Sequence, residues 1–340
     1  MSRLELVGST DQYMLNNAAV SAAGRVFTSF PRWLGQPTPG VGEVAPDGSI
    51  QPYPGDLWNS LNPAQSAPED RFECVHSIHI DRLDRLWVVD EGKSFFDTSN
   101  QSGSRPKLVC FDLQENRAQR VYVLNEIAAP EGTQLGHLRA NETHAFITDA
   151  HLGAIIVLDL HTGHARRVLD GHALTAADPT IVPIVDGKPL LARGKPLVVQ
   201  VDLVELSRVH GFLYFSALFG PTLYRVPVEV ITDAKLSDDE IAEQVEKVAR
   251  IPPVSGIMEG HDGLLYLSSL TDRSILRLRP DSATPELFLR EDILDSPNEG
   301  SISVDNYLYV PASQANLLPA FHDGQSRLSP PYCIYRTLLS

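Results

Sequence analysis

Residues 76–90 read HSIHIDRLDRLWVVD. Ile78 and Ile80 alternate with polar residues, a polar turn follows at Asp81–Asp84, and a second apolar run ends on Trp87, Val88 and Val89. Period-two alternation marks a half-buried strand, and two such runs across a short turn predict an antiparallel hairpin. Five further stretches repeat the template: NNAAVSAAGRVFTSF from Asn16, LGHLRANETHAFITD from Leu135, DLVELSRVHGFLYFS from Asp202, SGIMEGHDGLLYLSS from Ser255 and NEGSISVDNYLYVPA from Asn298. After four of the six hairpins a third strand follows, as PKLVCFDL, GAIIVLDL, PTLYRVPV or SILRLRP. Strand–turn–strand units recurring at ~40–60 residues are the pattern of propeller blades. The expected fold is therefore all-β, a six-bladed propeller forming one domain over residues 1–340. Terminal strands near Leu4–Gly8 and Tyr332–Leu339 are expected to share the last blade, so that no sheet edge is left open.

Two segments depart from the repeat. Ser237-Asp238-Asp239-Glu240 reads as a capping box, with Ile241, Val245 and Val248 behind it at helical spacing. One short surface helix is expected there, running to Arg250. The loop over Asp178–Lys195 is rich in proline turns and long for a blade connection, and such loops roof binding sites.

Composition narrows the function classes. A formal net charge of −15 repels nucleic-acid phosphates and anionic lipid, so neither nucleic acid nor membrane is an expected partner. No apolar run approaches the ~20 residues of a membrane span. The opening MSRLELVGSTDQYMLNN lacks the apolar core of a signal peptide, and a cytoplasmic location is expected. The three cysteines, Cys74, Cys110 and Cys333, form no CxxC pair. There is no Walker loop, GxGxxG turn or GxSxG elbow, and no organic cofactor is expected.

Candidate chemistry comes from the repeat register. The inner strand of each blade lines the central channel, and its first residues face one mouth. Counting from the copies gives a first ring of Asn16, His76, Leu135, Asp202, Ser255 and Asn298, then a second of Asn17, Ser77, Gly136, Leu203, Gly256 and Glu299. Polar residues at positions that enter an inner strand point to a site. His76 is the expected proton acceptor or donor, paired with Asp202. Asn16, Asn17, Ser77, His137, Ser255, Asn298 and Glu299 are expected to bind the ligand. Asn16, Asp202, Asn298 and Glu299 together offer the oxygens that a hard divalent cation such as Ca2+ prefers. Asp90 and Asp149 end their strands and are expected to cap turns.

Several segments resemble the royal-jelly/yellow protein family. RVFTSFPRW at Arg25–Trp33 resembles its first blade, RLWVVDEG at Arg85–Gly92 its RLWVLDTG strand, and VDLVELS at Val201–Ser207 its VDGIALS approach to the fourth blade. LYFSALFGPTLYRVPVEV, SQANLLPAFHDG and PPYCIYR follow in family order. The resemblance extends to gluconolactonase-type propellers, whose carboxylate and amide side chains hold a divalent cation. It implies a small-molecule substrate at the channel mouth and lactone-hydrolase-like or tautomerase-like acid–base chemistry. A non-catalytic small-molecule binder and an interaction scaffold are the alternatives. The family's third-blade Asn-Asp falls on Leu135-Gly136, and the gluconolactonase-type first-blade carboxylate on Asn16, so the lactonase-type cation set is incomplete.

Overall fold

The computed structural model describes residues 4–35, 38–60, 67–94 and 104–339. Its described strands form six four-stranded antiparallel sheets and two small two-stranded ribbons. Blade 1 runs outward from the channel as Ala18–Val20, Val26–Ser29, Val41–Val44 and Ile50–Pro52. Blade 2 is Val75–Ile80, Arg85–Asp90, Lys107–Asp112 and Arg117–Val123. Blade 3 is Leu135–Ala140, His144–Asp149, Ala154–Asp159 and Ala165–Val168. Blades 4 and 5 begin with Val201–Leu206 and Gly256–Glu259 and end with Glu246–Arg250 and Glu286–Arg290. All six hairpins read from the sequence are the inner pairs of these sheets.

Blade 6 is composite. Ser301–Ile302, Tyr307–Ala312 and Tyr332–Leu338 come from the end of the chain, and Glu5–Thr10 adds the outermost strand. Glu5 faces Arg336 in the ladder, and their side chains bond at 2.9 Å.

Apolar residues of neighbouring blades meet in six clusters, one at each junction. Trp87, Val89 and Cys110 of blade 2 pack on Leu138, Ile147 and Ile156 of blade 3. Ala18 and Val26 of blade 1 pack on Tyr309 and Ile334 of blade 6, so burial as well as strand pairing joins the two ends. Alternation explains this: each strand sends alternate residues into the junctions on its two sides.

Two expectations about local structure need correction. Three short helices occur among the described residues, Asp56–Asn59, Val228–Thr232 and Asp238–Ala242, where one was expected. The capping box on Ser237 and Glu240 is present, but the helix stops at Ala242. Glu246–Arg250 is instead the outer strand of blade 4, paired with Thr222–Arg225. Residues 246–250 satisfy a strand pattern as well as a helical one, and an open sheet edge alongside decides between them. The second correction concerns blade 3. Its turn between Ala140 and Ala145 is one residue shorter than the turn between Ile80 and Leu86 in blade 2. Counting through the turn therefore misplaces the start of the inner strand by one. Leu135 is the partner of Asp149 and lies fully in the junction core, so Gly136 and His137 take the channel positions.

Candidate functional site

The inner strands of blades 2, 3 and 4 each carry a bulge near the start, at Val75/Ser77, Leu135/Leu138 and Val201/Leu203. A bulge re-aims the extra side chain. Here the bulged stretches contain His76, Gly136–His137 and Asp202. Ligand atoms of His76, His137 and Asp202 lie within 4.8 Å of one another.

Gly136 makes the cluster possible. A Cβ there would stand 2.1 Å from Asp202 Oδ1 and 2.6 Å from Thr148 Oγ1. The carboxylate thus occupies the volume that any side chain at 136 would take. Thr148 Oγ1 donates to the Asp202 carbonyl at 3.0 Å, which ties blade 3 to blade 4 at this level.

The three residues form part of the floor of a cavity of about 110 Å³. Ser255 and Asn298 complete its polar side. Its walls are apolar: Trp33, Leu190, Leu218, Phe219, Leu270 and Phe321. The predicted roof loop is present as two ribbons, Ile184–Val185 with Lys188–Pro189 and Leu191–Ala192 with Lys195–Pro196. Leu190 packs with Phe219 and Leu270, and the Arg193 amide donates to the Ala320 carbonyl at 2.7 Å, joining roof to opposite wall.

Beneath the floor lies a charged layer. His137 Nδ1 stands 3.0 Å from Glu299 Oε2. Glu299 also pairs with Arg139, whose guanidinium reaches Glu205 at 2.7 Å and the Ile257 carbonyl at 3.0 Å. Asn17 accepts from Ser29 Oγ at 3.0 Å, which turns its amide nitrogen toward His137 Nε2 at 3.4 Å. Asn16 donates to the His76 carbonyl at 3.0 Å and accepts from Asn298 at 2.5 Å. Ser77 donates to the Gly136 carbonyl at 2.8 Å. Of the sequence-predicted residues, His76, His137, Asp202, Ser255 and Asn298 border the cavity, while Asn16, Asn17, Ser77 and Glu299 brace it from the layer below.

Environment separates the ionisable groups. Burial drives the His76 imidazole down to about 3, assisted by neighbouring His137. Burial thus favours the neutral imidazole at His76 and lowers its basicity. Burial opposes charge on His137 too, but Glu299 and Asp202 outweigh it and raise its pKa. Asp202 is raised, mainly by burial. Glu299 is lowered, because Arg139 and His137 overcome its burial. Asp202 Oδ1 and His76 Nδ1 are buried without a hydrogen-bond partner, so neither orients the other through these atoms.

Most of the oxygens expected for a hard cation have polar neighbours of their own. Glu299 is engaged by Arg139 and His137, Asn16 Oδ1 accepts from Asn298, and Asn298 Oδ1 accepts from the Glu299 amide. Asp202 Oδ1 accepts no hydrogen bond, and a calcium ion prefers six to eight oxygens.

Some contributors escaped the sequence reading. Arg139 sits three residues after Gly136 as an unremarkable strand residue, and its two carboxylate partners come from blades 4 and 6. Trp33 and Phe321 lie in family-like segments but carry no register signal, since both sit outside the inner strands. Asp90 and Asp149 cap turns: Asp90 accepts from the Glu73, Cys74 and Gly92 amides, and Asp149 from those of Gln134, His151 and Leu152. Cys74 Sγ donates to Glu91 Oε1 at 3.3 Å. His161 and His164 are exposed.

The family model for major royal jelly proteins matches residues 74–289, more than half of the chain. Major royal jelly protein 5 of Apis mellifera is 24% identical over 269 residues, covering 74% of this chain and 42% of that protein. Dopaminechrome tautomerase of Drosophila melanogaster is 22% identical over 157 residues, 42% of this chain and 33% of that protein. The chain spans about half the length of the curated relatives it matches. Among solved structures, virginiamycin B lyase from Staphylococcus aureus aligns with a TM-score of 0.53 at 12% identity, over 99% of both chains. A gluconolactonase from Xanthomonas campestris aligns at 0.55 and 13%, over 99% of this chain and 89% of that one. At these identities the structural likenesses bear on the fold alone. No helix among the described residues is long and apolar enough to cross a membrane.

Proposed function

The chain belongs to the major royal jelly protein family, and on that footing we propose that it is a small-molecule enzyme. Its substrate is a compact cyclic carbonyl compound, turned over at the channel mouth by lactone hydrolysis or by a tautomerising proton shift. One observation carries the reading: the unpartnered Oδ1 of buried Asp202 stands beside two imidazoles on the floor of an apolar-walled cavity. Polar atoms left bare in a protein interior cost stability, and such perturbed groups collect where chemistry uses them.

The cavity matches this substrate class in size and polarity. About 110 Å³ is the scale of one small ring. Trp33, Phe219 and Phe321 receive the apolar edge of the ring, and Asn298, His76, His137 and Asp202 face its oxygens. Both reactions need a proton removed, from water or from a carbon near the carbonyl, and an oxygen stabilised as it gains charge. Asp202 is the group for the first task, since its free oxygen faces the ligand space. His137, whose pKa Glu299 and Asp202 raise against the effect of burial, meets the second. The Drosophila relative is named for dopaminechrome and one structural neighbour for gluconolactone, both cyclic carbonyl compounds.

The test is direct assay of the purified chain with dopaminechrome, followed by loss of its visible absorbance, and with five- and six-membered lactones, followed by acid release. Turnover of one class is expected, with Asp202→Asn lowering kcat by ~10²–10⁴ while the melting temperature holds. Saturable binding without turnover of either class makes the protein a non-catalytic binder and sinks the enzymatic reading.

A further inference from the structure

We propose that His76, His137 and Asp202 form a site for one divalent cation of the nitrogen-accepting class, of which zinc is the representative. The inference shares its cavity with the proposed function but does not depend on turnover. Two imidazoles and one carboxylate, with an open side toward a cavity, are the donor set of a three-ligand site that keeps a position for water or substrate. Ligand atoms around tetrahedral zinc stand about 3.4 Å apart. The three here lie within 4.8 Å, which small side-chain rotations close.

Three independent features support a cation at this spot. Asp202 Oδ1 and His76 Nδ1 are both buried without a hydrogen bond, the latter 3.9 Å from Glu91 Oε1. Glu299 faces Nδ1 of His137 at 3.0 Å, the carboxylate–histidine arrangement that orients a ligating ring and holds its other nitrogen free for a metal. That other nitrogen faces only the Asn17 amide among the described residues, at 3.4 Å, the upper limit of a hydrogen bond. Finally, of the three buried carboxylates Asp202, Glu205 and Glu299, the last two share the buried guanidinium of Arg139, and Asp202 has no ion pair among the described residues. The Asp202 carboxylate is left for a proton or a cation to offset, and an uncompensated buried charge is costly.

The experiment uses the full chain, stripped with a chelator, dialysed, and titrated separately with Zn2+, Co2+ and Ca2+. Zinc is expected to bind at about one equivalent per chain, and Co2+ to give the visible absorption of a low-coordinate site. Ca2+ is expected to bind at least ~100-fold more weakly. Asp202→Asn and His76→Gln should abolish loading, and Glu299→Gln should weaken it by ~10–100-fold. Melting curves establish that each variant is folded, and the wild-type titration stands without them. Zinc loading well below one equivalent, loading retained by folded Asp202→Asn, or calcium binding as tightly as zinc each overturns the proposal. Loading without turnover sinks the enzymatic reading and leaves the site standing. Turnover by a protein that loads no zinc does the reverse.

Discussion

Gly136→Ala is the sharpest probe of how the trio is held. The added methyl carbon would start 2.1 Å from Asp202 Oδ1. Contacts of that kind essentially never fall below 3.0 Å, so the carboxylate must retreat by roughly 0.9 Å or the strands must part. Thr148 Oγ1, at 2.6 Å on another side, blocks an easy shift of the methyl itself. Gly136 does not have a left-handed backbone, so the substitution adds volume without backbone strain. Overpacking a filled site costs ~1–3 kcal/mol. A misplacement near 1 Å at a reacting group costs up to ~10²-fold in rate. The assay measures the melting temperature, zinc affinity and kcat of Gly136→Ala beside Asp202→Asn. The expected result is a modest fall in melting temperature with cation affinity and turnover reduced toward the Asp202→Asn level. If Gly136→Ala leaves all three unchanged, Asp202 does not rest where a side chain at 136 would sit, and the argument from the bulged strands fails.

Lys107 Nζ meets Asp90 Oδ2 at 2.7 Å with both side chains buried, so Lys107→Met should cost ~3–5 kcal/mol in urea denaturation by leaving a lone buried carboxylate. Burial pushes the Asp90 carboxyl up, but Lys107 and the Cys74 and Glu73 amides hold it below its ordinary value. A carboxyl lowered by folding stabilises the protein above its unfolded pKa, about 4, and that contribution is lost as pH falls through the folded value. Stability measured between pH 6 and pH 2 should therefore fall on the acid side, and Asp90→Asn should flatten that part of the curve. Removing residues 1–10 strips the outer strand from blade 6 and bares the edge of Tyr332–Leu338; a lower melting temperature and self-association in sedimentation are expected. Ser237→Ala removes one half of the capping box and should cost ~1 kcal/mol or less in thermal melts, since that helix is a single short turn at the surface.

The propeller was legible because its signal is repeated. One hairpin such as 76–90 is ambiguous, but six copies in order leave no helix-rich alternative. Apolar alternation reports burial in the junctions, and the junction clusters show this term dominating the fold. The extent of the helix at 237–250 was not legible. Ile241, Val245 and Val248 fit a helical stripe, yet residues 246–250 gain backbone bonds by pairing, across one bulge, with the third strand of blade 4. Local spacing carries no information about an open sheet edge built twenty residues earlier.

The site shows the same limit at finer grain. His76, Asp202 and Asn298 were found by register, because blades 2, 4 and 6 are in phase with the template through their inner strands. Blade 3 slips by one through a shorter turn, so the count placed Leu135 at the mouth and gave His137 no more than a binding role. A period-two strand turns that single residue into an exchange of core for channel. Chemical roles then depended on partners from other blades. Glu299 looks like a cation ligand beside Asn298 in the sequence, but Arg139 reaches it across the channel from blade 3 and leaves it to hold His137 instead. His76 looks like the better base because its register is clean, but burial beside a second imidazole lowers its basicity. What marks the floor is therefore that Asp202 Oδ1 and His76 Nδ1 make no hydrogen bond on residues that border the cavity. Grouped on one floor with His137, these residues suit a guest that accepts electron pairs from all three, which is what the cation titration tests.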